Sequence, residues 1–176
     1  MTGPETLTDQ LLANPQPGGA FVRTLLWGTL IAGAFDISAA MISVQLRGIP
    51  ALQAVKGVAA GWLGREAFRG GASVVALGFL THFLIMGVVV CAFYFASRWL
   101  PGLMKHWLWT GPAYGAAVYL VMSFVVVPAS AFPGSVASTP AAVFQGVLVH
   151  MACVGLPIAF ITRRLASAAQ FAGEGP

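Results

Sequence analysis

The stretch TLLWGTLIAGAFDISAAMISVQL, residues 24–46, decides the fold. It contains one charged residue, Asp36. At ~1.5 Å rise per residue, a helix of this length covers the ~30 Å hydrocarbon core of a bilayer. Three further runs read the same way, at residues 72–99, 107–127 and 140–162, with charges confined to their ends. Backbone polar groups in lipid must be paired within a segment or around a closed barrel. Continuous apolar runs lack the alternation of barrel strands. The predicted class is therefore an all-α membrane protein with four transmembrane helices.

Composition agrees with this. Of 176 residues, 58% are hydrophobic and only 8% charged, against about 25% charged in soluble domains. So few charges would not cover a water-soluble surface of this size. Residues 23–165 read as one membrane domain. Residues 1–22 contain Glu5, Asp9 and three prolines. They lack the basic start and apolar core of a secretory signal. The first span is thus expected to stay as an anchor behind a flexible or surface-lying tail, with a second tail at residues 166–176. The net charge of +4 comes from cations at segment ends, which suits lipid headgroups rather than nucleic acid. Cys91 and Cys153 fall in apolar runs and read as buried thiols rather than a disulfide.

Residues 49–68 separate the first two spans. They are apolar but interrupted by Lys56, Arg65 and Glu66. Such a segment is too polar to span and predicts a short interfacial or re-entrant helix; Arg65 and Glu66 are expected to form a solvated pair. With four spans, Arg23, Arg98, Lys105, Arg163 and Arg164 share the side of both termini, facing Arg47, Lys56, Arg65 and Arg69 opposite. The positive-inside rule, with an uncharged third loop, favours cytoplasmic termini. Pro112 reads as a tolerated first-turn proline, and Pro157 should kink the fourth span and free a carbonyl near Cys153. Gly111–Gly115 and Gly57–Gly61 match the small-residue spacing of close helix contacts.

Depth counting brings four side chains toward one layer. Asp36 lies ten residues before Leu46, His82 eight after Val74, His150 nine after Ala141 and Tyr119 eight before Val127. At ~1.5 Å per residue these are all roughly 12–15 Å from the side that carries residues 49–68. Small residues flank Asp36 at helical spacing: Thr29, Ala32, Gly33, Ala39, Ala40 and Ser43. An Asp facing lipid is costly, about 3 kcal/mol on insertion scales. Asp36 is therefore expected to face inward and pair with His82 or His150.

Several readings of this layer stay open. It can serve only to fix helix packing and register. It can mark a proton or solute path, as intramembrane ionisable groups do. Two histidines on separate helices can hold a haem iron, and an Asp with two His (Asp36, His82, His150) a divalent metal. The chain can also be a structural or assembly subunit of a larger membrane complex, or a homo-oligomer. No Walker loop, zincin motif or nucleophile elbow is present, so no catalytic residue is assigned; an enzyme acting on lipid stays open as the less favoured reading, with no nucleophile and base at recognisable spacing.

The strings AGAFDISAA, GWLGREAFRGG, LGFLTHF, FASRWLPG, YGAAVYLVMSFVVVPASAFP and HMACVGLPIAFITRRL together resemble a group of small, uncharacterised four-span inner-membrane proteins of bacteria. The resemblance covers most of residues 28–165. It implies a multi-pass protein of the bacterial cytoplasmic membrane and transfers no binding or catalytic residue.

Overall fold

In the computed structural model, which describes residues 17–135 and 139–171, four helices are long and apolar enough to cross a membrane. The element order is span 1 (Pro17–Gln45), a connecting helix (Leu52–Leu63) with a 3-10 turn (Gly64–Arg69), span 2 (Ala72–Trp99), a short helical turn (Gly102–Lys105), span 3 (Trp107–Val126) and span 4 (Pro140–Phe171). No strand occurs among the described residues. The chain is an all-α, multi-pass membrane protein.

Span 1 starts at Pro17, several residues inside the stretch expected to be tail. Proline suits a first helical turn, where its missing N–H would have had no partner. The rest of the expected N-terminal tail lies outside the described residues. Span 4 likewise continues to Phe171. Its start has a local cause: Thr139 Oγ1 accepts the Ala142 N–H at 3.1 Å, and Pro140 occupies the first helical position.

Spans 3 and 4 each contain a π-helical turn, at Met122–Val126 and Met151–Gly155. Each turn ends two residues before a proline, Pro128 or Pro157. A proline has no N–H for the carbonyl four residues back, and its ring crowds that carbonyl. Wider pairing lets the chain absorb the defect: the Val127 N–H reaches Met122 O at 2.8 Å. Pro157 thus acts through a π turn directly after His150. Pro112 is the sixth residue of span 3, beyond the first turn where it was expected.

The connecting helix is more than an interfacial strap. Val55, Ala59 and Ala60 are fully buried. A side chain at Gly78 of span 2 would collide with the Val55 carbonyl, so this helix crosses span 2 below its first turn. The Trp62 indole N–H reaches Thr81 Oγ1 at 3.1 Å. The third loop closes over it, with Ala131 N–H donating to Gly61 O at 2.9 Å and Phe68 edge-on to Phe132. Gly48 and Gly64, with φ of +76° and +61°, supply the left-handed turns that enter and leave this helix. Glu66 pairs with Arg69 at 3.7 Å on the exposed surface, not with Arg65.

The core lies between spans 1, 2 and 4, where Ala32, Met86, Val90, Phe93, Val154, Ile158 and Ala159 pack together. Span 3 joins through glycines. A side chain at Gly155 would strike the Gly111 carbonyl, and one at Gly115 the His150 carbonyl. The spacing at Gly111–Gly115 is therefore the contact between spans 3 and 4. Tyr114 adds a tie to span 2, its hydroxyl donating to Val89 O at 2.7 Å.

Candidate functional site

Asp36 and His150 face each other across the seam between spans 1 and 4. His150 Nε2 lies 3.9 Å from Asp36 Oδ1, with the side chains 21% and 16% exposed. Span 1 packs along the C-terminal half of span 4 and meets its N-terminal half, Pro140–His150, only lightly. The pair therefore sits where contact between the two spans thins toward the end that carries the connecting helix.

The His150 ring is oriented from its own helix. Its Nδ1 is 3.0 Å from the Gly146 carbonyl. A carbonyl only accepts, so Nδ1 carries hydrogen and Nε2 is the atom turned to Asp36. Tyr119 fixes the other side. Its ring fills the space that a side chain at Gly146 would need, and lies edge-on to the imidazole at a centroid distance of 5.2 Å. The Tyr119 hydroxyl points at Ala142 O, 3.5 Å away, not at Asp36.

This geometry suits a pair that shares one proton. With Nδ1 protonated, Nε2 presents either a lone pair to a protonated Asp36 or an N–H to the carboxylate. Both arrangements are neutral overall, which avoids an isolated charge in a low-dielectric region. At 3.9 Å the two atoms are too far apart for a direct hydrogen bond. Transfer between them takes a small approach or a bridging water.

His82 has a different place. It is buried, and its Nε2 donates to Gly33 O at 3.0 Å, one helical turn from Asp36. Phe83 packs in the notch left by Gly33. His82 thus ties span 2 to the backbone of span 1 instead of meeting the Asp36 carboxylate. Among the described residues, no three His, Cys, Asp or Glu side chains converge as a metal-ligand group. Asp36, His82 and His150 are not gathered into one set. Cys91 and Cys153 are free, half-buried thiols.

A polar bridge above the pair escaped sequence reading, because Gln145 was not singled out. Gln145 Nε2 donates to Ser43 Oγ at 3.2 Å, and Arg47 donates to Gln145 Oε1 at 3.0 Å. Counted along the helices, this bridge stands roughly 8–10 Å above the Asp36–His150 pair. The signal was present: Gln145 is the one carboxamide inside the run 140–162, and it lies on the same span as His150.

The fold and this seam define a class: a four-span helical membrane protein with a half-buried acid–imidazole pair under a polar bridge. No family model, curated protein or solved structure matches the chain.

Proposed function

We propose that the protein is a small proton-coupled membrane transporter, or the proton-carrying component of one, with Asp36–His150 as its titrating pair. One observation carries this reading. Among the described residues, the one carboxylate inside the spans faces an imidazole whose second nitrogen is held by a backbone carbonyl, where contact between spans 1 and 4 thins toward the connecting helix. Intramembrane ionisable groups that stay partly accessible are the form expected of a proton path.

In this reading, Asp36 receives a proton through the seam and passes it to or from His150 Nε2. His82 and Tyr119 position the two helices and the ring. The site belongs to a bacterial cytoplasmic membrane, with the termini on the cytoplasmic side. That orientation is supported by Arg23, Arg98, Lys105, Arg163 and Arg164 at one end and by the uncharged third loop at the other.

The test is flux in liposomes loaded with a pH-sensitive dye. The purified protein should dissipate an imposed proton gradient, alone or with a co-transported solute. Asp36→Asn should abolish that movement, and His150→Gln should reduce it by an order of magnitude or more, roughly the share of a positioned proton-transfer group. Equal flux in wild type and Asp36→Asn would leave the pair a packing element. Reporter fusions at each terminus check the orientation.

A further inference from the structure

The opposite end of the same seam has another chemistry. Ile31 and Phe35 of span 1, Leu156, Pro157 and Phe160 of span 4, and Trp107 at the start of span 3 line an open groove of about 380 Å³ with apolar walls. Phe35 and Phe160 stay 53% and 42% exposed, so the groove opens on the lipid-facing surface. Two cations lie over two of its wall rings. The Arg163 guanidinium lies 5.7 Å from the centroid of the Trp107 ring, and that of Arg164 lies 5.2 Å from the Phe160 ring. Both rings are groove walls, so each charge stands beside a wall of the groove.

We propose that this groove is a binding site for an anionic glycerophospholipid. The phosphate sits between Arg163 and Arg164, and an acyl chain lies along Ile31, Phe35 and Leu156. Several observations support this occupant. Among the described residues neither guanidinium has a carboxylate or carbonyl partner. Stacking on a ring face holds a guanidinium in place while its in-plane N–H donors remain available. Planar forks of this kind match a phosphate bidentately. Among the described residues this end of the molecule carries Arg23, Arg98, Lys105, Arg163 and Arg164 and no acid. Basic residues bordering an apolar cleft between spans recognise anionic headgroups at the level where those headgroups lie. A free phosphate would leave the groove unused, so the bilayer is the source of the ligand.

Native mass spectrometry of the full chain reads the site directly, with phosphatidylglycerol or phosphatidylcholine added at equal concentrations. The wild type should retain phosphatidylglycerol roughly thirtyfold more often, the scale set by two interfacial cations. The double variant Arg163→Gln/Arg164→Gln, both at exposed positions, should bring the two lipids to parity. Leu156→Trp fills the groove and should lower phosphatidylglycerol occupancy severalfold with both arginines intact. Removal of two cations at the other end, by Arg65→Gln/Arg69→Gln, should leave the preference unchanged, and glycerol phosphate should not displace the lipid. Equal retention of both lipids by the wild type overturns the proposal. So does an equal loss in the Arg65/Arg69 variant, which would mean bulk charge, or full phosphatidylglycerol occupancy in Leu156→Trp, which would mean a headgroup patch without the groove.

Discussion

His150 stands between two seams built on opposite principles. Its backbone belongs to the seam between spans 3 and 4, where Gly111, Gly115 and Gly155 let main chains touch. Its ring belongs to the seam between spans 1 and 4, where Asp36, Ser43, Gln145 and Arg47 line a widening gap. The first seam relies on dispersion between backbones at close range, which needs no polar group and leaves no room. The second is held by a few polar contacts where the two helices touch least. Under the proposed function, a close-packed wall and a polar-bridged one around the same imidazole would combine a fixed ring with an adjustable partner distance.

The sharpest way to break the comparison is to crowd the closed seam. Gly115→Leu drives a side chain into the His150 carbonyl and should cost about 3 kcal/mol, read as a lowered unfolding midpoint in detergent. A small loss would mean that spans 3 and 4 separate easily. Next comes the pair. His150→Leu leaves Asp36 without its partner and should cost about 2 kcal/mol, less than a fully buried pair because both groups are partly exposed. Adding Asp36→Leu should recover most of that loss. A double-mutant cycle with coupling near zero would show that the two side chains do not interact.

Gln145→Leu tests the open seam. It removes two exposed hydrogen bonds and should cost no more than about 1 kcal/mol. If the bridge restricts entry to the pair, the same variant should raise proton flux in liposomes, and unchanged flux would count against a restricting role. The smallest effect belongs to the surface. Arg69→Gln breaks the exposed pair with Glu66 and should shift stability by less than about 0.5 kcal/mol.

The four spans and the helix between spans 1 and 2 were legible in the sequence, because length and continuous apolarity are local properties and the bilayer imposes a length. Span 2 occupies residues 72–99, as read. Span 1 was read too short at its N-terminus, since PGGAFVR carries no strong apolar signal and its helix is a continuation of the span. That Asp36 would need an imidazole partner also followed from charge and depth alone.

Which imidazole it meets did not follow. Depth counting brought His82, Tyr119 and His150 to one level. A helix that is apolar all round carries no periodic stripe to set its rotation. Rotation came from packing: glycine contacts seat span 3 behind His150, the Gly33 notch takes Phe83, and His82 is thereby directed to a carbonyl. Beyond His150 toward the connecting helix, spans 1 and 4 meet only lightly, and there Gln145 bridges Ser43 and Arg47 above Asp36. The sequence by itself determined a four-span membrane protein with an internal acid and two internal histidines. Only the tertiary structure decided that one histidine locks two helices and the other faces the acid, because facing depends on how whole helices pack and not on any single segment.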